Sequence, residues 1–356
     1  MRHGVTAWLA GVLAVVGGLI VLAPSGHSVD RAAAKFPVGW TRLPAPPSAR
    51  DGAALVWTGS ELIAWGGCGR KCAPTAGGFA FDPGERSWER IPAAPLAATS
   101  ADGFWTGEKA IFLHPVRGRL GGQAYDPRSR EWHVIPAAPL PPVDGRIEVW
   151  TGAELIVWGG GRRRGRGARR GAAYDPARDT WRPIARGPIG LNLASGIWTG
   201  RELVVFGSLL DGRNVAETRT SVGAAYDPVT DSWRELPPSR LSAQATSAVW
   251  LDGRIVAWDY ELRSQEYDPE RNRWADPLAL PLDFSECYPD SVAVRERVFA
   301  FFCGQMALYD GRWRKLGGGP SEARAYRHPV TLTVGEGVVF LSVASADSLW
   351  VYRPPD

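Results

Sequence analysis

The sequence of this 356-residue chain predicts an all-β fold, a seven-bladed β-propeller of four-stranded antiparallel blades. Three observations support this prediction. A phrase that begins with Trp recurs seven times, an aromatic-Asp-Pro phrase also recurs seven times, and a Trp-Thr-Gly turn recurs between them. A period of about 40–50 residues with four strands in each unit is typical of a β-propeller.

The two phrases mark the fourth and third strands of each unit. The Trp-led phrase begins at Trp40, Trp88, Trp132, Trp181, Trp233, Trp274 and Trp313. The aromatic phrase is centred on Phe81, Tyr125, Tyr174, Tyr226 and Tyr267, and it degrades at Tyr309 and Tyr352. Successive aromatics are 44, 49, 52, 41, 42 and 43 residues apart.

The unit that starts at Val149 shows why each element is expected. Two apolar strands flank the turn at Thr151-Gly152, where Gly suits a hairpin position with positive φ. A third strand ends at Tyr174, and Asp175-Pro176 opens the next turn because Pro presets φ and Asp can accept backbone N–H bonds. The fourth strand begins at Trp181, and Trp and Tyr can fill the wedges between blades.

The phrase counts also predict how the ring closes. The first Trp-led strand, at Trp40, has no preceding three strands of its own, and the last unit ends at Tyr352 without a Trp-led strand. We therefore expect the N-terminal strand to complete the last blade, which hides two sheet edges that would otherwise be exposed.

These repeats resemble the kelch-repeat family, which also contains the central domain of galactose oxidase. The resemblance is carried by Gly66-Gly67 and Gly159-Gly160, by the Tyr of the third strands, and by the Trp about seven residues later. It covers nearly all of the chain after the N-terminal segment, although the double Gly is missing from the second, fifth, sixth and seventh units. The resemblance implies the fold and does not by itself imply an activity.

The N-terminus has the pattern of a targeting segment. Arg2 and His3 precede an apolar run from Val5 to Ala23, which is close to the roughly 20 residues that span a bilayer. Either a cleaved signal peptide or an uncleaved signal anchor fits this pattern. We assign residues 1–30 to this segment and 31–356 to the propeller, which is expected to be secreted, or extracytoplasmic and membrane-anchored.

Composition and motifs exclude several function classes. A net charge of +4 is too weak a bias to predict nucleic-acid binding without a motif. The sequence contains no H-E-x-x-H, P-loop, G-x-S-x-G or EF-hand pattern, and its few His match no copper-ligand pattern of galactose oxidase. We therefore expect no metal and no cofactor, and the catalytic residues, if any exist, are unknown.

Strand alternation indicates where a ligand would bind. The turns between first and second strands and between third and fourth strands lie on one face, here the turn face. The second-to-third loops and the links between blades lie on the other, here the mouth face, and these vary most. The candidate binding residues at the channel mouth are Arg50, Asp51, Asp102, Asp144, Arg146, Asp290, Arg327 and His328, with Asn192, Thr246 and Tyr288 beside them.

Three loops of the mouth face are long: Cys68 to Gly78, Gly161 to Gly171 and Ser208 to Val222. The second of them contains six arginines and no acid: Arg162, Arg163, Arg164, Arg166, Arg169 and Arg170. It is either a binding site for an anion, such as an acidic glycan, a phosphate-bearing polymer or an anionic lipid, or a solvated charged loop.

The four cysteines suggest two disulfides in an oxidising compartment. Cys68 and Cys72 are close enough in sequence for a local bridge, with a metal pair as the weaker alternative. Cys287 and Cys303 flank a predicted hairpin in the sixth blade and are expected to form the other bridge.

Three functions remain open at this level. The first is a non-catalytic extracytoplasmic scaffold that binds a glycan or a protein. The second is a carbohydrate-active enzyme, similar to a sugar mutarotase, epimerase or oxidase, since some kelch propellers are sialic-acid mutarotases; it needs acid and base groups at the mouth. The third is a structural propeller that assembles at the cell surface.

Overall fold

The computed structural model is an all-β propeller of seven four-stranded antiparallel blades, as the repeat predicts. It describes residues 36–48, 50–68, 72–140, 145–160, 169–209, 220–242, 246–283, 290–302, 304–317, 331–335, 337–343 and 348–355. The N-terminal segment assigned to targeting lies outside these residues, and no helix within them is long and apolar enough to cross a bilayer.

The first four blades follow the order of the chain, each with four consecutive strands. Blade 1 contains β2 (Asp51–Trp57), β3 (Leu62–Cys68), β4 (Gly78–Asp82) and β5 (Ser87–Ile91). Blade 2 contains β6 (Asp102–Trp105), β7 (Ala110–Val116), β8 (Arg119–Asp126) and β9 (Glu131–Ile135). Blade 3 contains β10 (Arg146–Trp150), β11 (Leu155–Gly159), β12 (Gly171–Asp175) and β13 (Thr180–Ile184). Blade 4 contains β14 (Leu191–Trp198), β15 (Leu203–Leu209), β16 (Val222–Asp227) and β17 (Ser232–Glu235).

The last three blades include the closure of the ring. Blade 5 contains β18 (Thr246–Leu251), β19 (Arg254–Asp259), β20 (Arg263–Asp268), β21 (Arg273–Trp274) and β22 (Leu278–Ala279). Blade 6 contains β23 (Asp290–Val294), β24 (Arg297–Phe302), β25 (Gln305–Tyr309) and β26 (Trp313–Leu316). Blade 7 contains β27 (Thr331–Gly335), β28 (Val338–Val343), β29 (Ser348–Arg353) and, from the other end of the chain, β1 (Gly39–Leu43).

The N-terminal strand closes the ring as the phrase counts predict. β1 pairs antiparallel with β29, and Trp40 lies opposite Tyr352. The Arg353 guanidinium also donates a hydrogen bond to the Phe36 carbonyl oxygen at 3.0 Å. Because β1 covers the outer edge of β29, the last blade is held by the two ends of the chain together.

Blade 5 departs from the four-strand pattern in its fourth strand. β21 and β22 both pair with β20, at its two ends, and the short segment Ala275–Pro277 separates them. Pro277 has no N–H to donate to a ladder, which explains why pairing is interrupted here. The sequence did not indicate this interruption.

The Trp of the fourth strands joins neighbouring blades. The indole N–H of Trp132 donates to the Pro92 carbonyl oxygen at 2.9 Å, and that of Trp181 donates to the Pro136 carbonyl at 2.8 Å. Trp88, Trp233 and Trp274 make the same kind of bond to the preceding blade. The recurring Trp therefore supplies both apolar area and a directional bond between blades.

The first strands of successive blades surround the central channel. β14 lies against β18, β18 against β23, and β2 against β27, so these strands form the inner wall. Their approach is close: a Cβ added at Gly196 would lie 2.1 Å from Cγ2 of Ile147 in the preceding blade. Because the strands alternate in direction, the mouth face carries the C-terminal ends of the second strands, such as β3, β7, β11, β15 and β19.

Candidate functional site

The most specialised group at the channel mouth is formed by Asp102 of β6 with Arg146 and Glu148 of β10. Arg146 Nη2 lies 2.7 Å from Asp102 Oδ2, so the guanidinium joins blades 2 and 3. Arg146 Nε donates to Glu148 Oε1, which lies two residues along the same strand and therefore on the same face. We call these three residues the mouth triad.

The mouth triad is only partly shielded from water. The side chain of Asp102 is 21% exposed, against 9% for Arg146 and 6% for Glu148. Asp102 is therefore the member that a ligand entering the mouth can reach, while Glu148 lies behind it. The geometry presents one accessible carboxylate whose position is fixed by a buried guanidinium.

Glu148 holds a proton more tightly than an ordinary carboxyl. Burial raises the pKa of Glu148 to about 8, the Asp102 charge adds to the rise, and Arg146 opposes it. Burial also raises the pKa of Asp102, against the opposing charge of Arg146. The interaction between the two carboxyl groups raises the pKa of Glu148 and lowers that of Asp102, so Glu148 is the member that retains its proton at neutral pH. Glu148 Oε2 is buried and accepts no hydrogen bond from the residues that the structure describes.

Asp290 is a second acid of the mouth, at the start of the first strand of blade 6. It is partly exposed, and Oδ1 accepts a hydrogen bond from the Ser291 backbone N–H at 2.8 Å. Desolvation raises the pKa of Asp290 to about 7. This carboxyl therefore titrates near neutral pH.

Arg50, in contrast, is used by its own blade. Its guanidinium donates to the Gly77 carbonyl oxygen and lies 5.1 Å from the ring centroid of Phe79. Burial lowers the pKa of Arg50, and the nearby charge of Arg90 lowers it further. Arg50 braces the loop between β3 and β4 and does not join the mouth triad in the described contacts.

Several candidates cannot be placed. Asp144, Arg327, His328, Tyr288 and the loop arginines Arg162, Arg163, Arg164 and Arg166 lie outside the described residues, as do Cys287 and Cys303. Asp51 and Asn192 are placed in strands by their backbones. Arg169 and Arg170 are exposed just before β12, where their carbonyl oxygens accept bonds from Gly187 and Gly159. Thr246 is buried, and Ser195 of blade 4 donates to its carbonyl oxygen.

Cys68 and Cys72 form a disulfide at the edge of the mouth face, with their Cα atoms 4.4 Å apart. This bridge closes the start of the loop between β3 and β4. Among the residues described, no group of three or more His, Cys, Asp or Glu side chains is arranged to hold a metal ion.

Two buried polar residues near the mouth were missed by the sequence analysis. Glu148 was overlooked because it stands inside an apolar strand, although its spacing from Arg146 places both on one face. His114 of β7 is 2% exposed and lies 5.6 Å from the ring of Trp65 in blade 1. Burial lowers the pKa of His114, and its Nε2 atom has no partner among the described groups.

The fold and the mouth define a class: a seven-bladed propeller with kelch-like repeated blades and a polar channel mouth. One of many solved structures with a similar fold is that of YjhT, with a TM-score of 0.50 and 12% sequence identity. The match covers 77% of this chain and 99% of that chain. No family model matches the chain. At this identity the likeness shows the fold alone.

Proposed function

We propose that this protein is an extracytoplasmic, non-catalytic binding scaffold of the kelch-repeat family, similar to the galactose oxidase central domain. Its ligand is a glycan or a protein held at the mouth face. The mouth triad carries this proposal, because its partly exposed Asp102 is fixed in place by Arg146. The polar character of these groups favours a glycan, whose hydroxyls can bind to carboxylates. The N-terminal segment would deliver the propeller to the exterior, with or without anchoring it.

The arginine loop extends this proposal to acidic ligands. Arg169 and Arg170 are exposed beside the link to blade 4, and the remaining four arginines lie outside the described residues. If this loop contributes to binding, affinity for an acidic glycan falls steeply with salt, since exposed charges are screened over about 8–10 Å near physiological ionic strength.

A glycan array probed with the propeller tests the proposal, followed by titration of the best ligand against variants. We expect Asp290→Asn, at the mouth, to weaken binding. Asp252→Asn, on the turn face, makes the same substitution and serves as the control. Binding of no glycan, or equal affinity for both variants, contradicts glycan recognition at the mouth.

The second candidate is a carbohydrate-active enzyme that works by acid–base chemistry, like a sugar mutarotase or epimerase. One observation favours it: Arg146 holds two carboxyl groups together at the mouth, and the pKa of about 8 makes Glu148 a proton donor at neutral pH. Exchange between the anomers of free sugars, measured by NMR, tests it. Catalysed exchange that is lost in Asp102→Asn supports the enzyme, and no catalysis across a sugar panel supports the scaffold.

A further inference from the structure

A cleft of about 840 Å³ opens on the turn face between blades 5 and 6, on the side of the ring opposite the mouth triad. It is lined by the turn residues Leu251 and Asp252 of blade 5 and Arg295 and Glu296 of blade 6, with Glu266 and Tyr309 on its walls. Its size is within the range of ordinary ligand pockets, about 300–1,000 Å³. A comparison with the junctions between the other blades explains why this cleft is present.

At four junctions one side chain of the fourth strand reaches across to the next blade. It stands opposite an Ala of the third strand: Glu89 opposite Ala80, His133 opposite Ala124, Arg182 opposite Ala173 and Arg234 opposite Ala225. Glu89 pairs with Arg130 of blade 2 at 2.9 Å, and His133 with Asp179 of blade 3 at 2.9 Å. We call this side chain the strap.

The two arginine straps share one geometry. Arg234 binds Glu202 of its own blade through two N–H···O bonds of 3.0 and 2.7 Å. Its Nη1 also donates to Tyr267 Oη and to Asn272 Oδ1 of blade 5, both at 3.1 Å. Tyr267 Oη itself donates to Asn272 Oδ1 at 2.7 Å. The receptor for the guanidinium is thus a Tyr hydroxyl that donates to a neighbouring oxygen.

Arg182 repeats this arrangement one junction earlier. It binds Glu154 through bonds of 2.9 and 2.6 Å and hydrogen-bonds to Tyr226 of blade 4. Tyr226 Oη donates to Asp231 Oδ1 at 2.7 Å. The guanidinium therefore occupies the space between the first turn of one blade and the Tyr of the next.

The junction between blades 5 and 6 retains the Tyr hydroxyl and lacks the strap, and Arg254 stands where Glu154 and Glu202 anchor the arginine straps. Ala275 stands where the strap would begin, because its N–H bonds to the Glu266 carbonyl oxygen in register with Trp274. Glu266 stands where the third strands of blades 1–4 have Ala. Tyr309 Oη of blade 6 donates to Glu266 Oε1 across the junction.

The charges in the cleft favour a cation. Its lining holds four carboxylates and three guanidinium groups. Arg254 is paired with Asp268, 2.8 Å from Nη1, and lies 4.0 Å from Glu266 through Nε, while the lining carboxylate of Asp310 is paired with Arg314. Three carboxylates and two guanidinium groups of the lining then remain. Arg297 donates to the Pro355 carbonyl oxygen. The pair formed by Tyr309 and Glu266 still offers acceptor lone pairs, and a carboxylate accepts from a guanidinium more strongly than the Asn272 amide does.

We propose that this cleft binds the guanidinium group of an arginine side chain from a peptide or protein partner. The partner supplies in trans the group that Arg182 and Arg234 supply to the neighbouring junctions. Tyr309 and Glu266 accept its N–H groups. This site lies on the turn face and does not depend on ligand binding at the mouth.

Calorimetric titration with N-acetyl-arginine amide tests the proposal, with N-acetyl-citrulline amide as the uncharged isostere. We expect the arginine probe to bind at least about tenfold more tightly, since charge-assisted hydrogen bonds are about twice as strong as neutral ones. Equal affinity for the two probes overturns the proposal. Agmatine separates the sources: tighter binding of the arginine amide supports a peptide, and tighter binding of agmatine overturns the peptide assignment.

Ala275→Arg should place a guanidinium beside Glu266 and Tyr309 and occupy the cleft, with loss of arginine binding. Ala177→Arg adds the same charge to an exposed turn of blade 3 and should leave binding unchanged. Unchanged binding in Ala275→Arg overturns the proposal.

If Ala275→Arg fails to fold, Glu266→Ala decides, because it introduces the residue that blades 1–4 have at this position. We expect about tenfold weaker binding in Glu266→Ala. Glu270→Ala, which removes an exposed acid from the adjacent turn, is its control. Equal affinity in these two variants also overturns the proposal.

Discussion

Glu148 is the residue whose protonation most directly affects the mouth. Its pKa in the folded protein is about 8, above its ordinary value of 4.5, so the folded state binds more protons than the unfolded state between these values. Stability that depends on the neutral carboxyl is therefore complete below about pH 4.5 and is lost as the pH rises through about 8.

We expect Glu148→Gln to remove most of this decline, because the amide keeps the shape of the protonated acid and cannot ionise. The measurement is Tm from pH 5 to pH 9 for the wild type and the variant. Glu131→Gln, at an exposed position of β9, is the control and should follow the wild type. A variant that declines as steeply as the wild type would show that another group is responsible.

The pKa of His114 is shifted in the opposite direction, and so is its effect on the pH dependence of stability. Burial lowers its pKa below the ordinary value of 6.5, so the unfolded state binds the proton more readily. The stabilising contribution of the neutral ring is complete above about pH 6.5 and is lost as the pH falls through the folded-state pKa. His114→Gln should weaken this acid dependence in denaturant titrations at pH 5 and pH 7. His133→Gln, with a 54% exposed side chain, should not.

At the scale of the strand, the recurring Trp does more than fill space. Trp132 donates to the Pro92 carbonyl oxygen in blade 1, whereas the buried indole N–H of Trp40 has no partner among the residues described. Phe keeps most of the apolar area of Trp and removes the N–H.

Trp132→Phe should therefore cost about 1 kcal/mol more than Trp40→Phe in the free energy of unfolding, the net value of one hydrogen bond. Urea unfolding of the two variants measures the difference. Equal losses would mean that the Trp stabilises the junctions through packing alone.

At the scale of the whole molecule, the closing strand is the most sensitive element. Phe36 and Leu43 are both buried in the cluster that joins blades 7 and 1. Deletion of residues 36–44 should cost at least about 4 kcal/mol, since burying one such side chain contributes about 2 kcal/mol. The loss grows further because two sheet edges become exposed.

Calorimetry of the truncated propeller and of one that lacks only residues 1–30 measures this cost. A truncated ring with the Tm of its parent would contradict closure by β1 as a source of stability.

Sequence repetition determined the architecture of this protein. The spacing of Tyr125, Tyr174 and Tyr226 defines repeated units that cannot bury their own sheet faces. The offset between Trp40 and Tyr352 determines how the ring closes, because unpaired strand edges are costly. These features act through local strand pairing and a regular period, which a single sequence displays.

Only the tertiary structure decided which side chains meet between blades. Asp102 and Arg146 were both placed at the mouth from sequence, but their contact and the protonated Glu148 behind them depend on how β6 packs against β10. Likewise, the sequence does not show why Ala275 matters. Its position becomes informative only when the structure shows that Arg182 and Arg234 cross the corresponding junctions. The partners at these junctions are tens of residues apart in sequence. They meet because the strand register within each blade determines which side chains reach the next blade, and no local sequence pattern shows this.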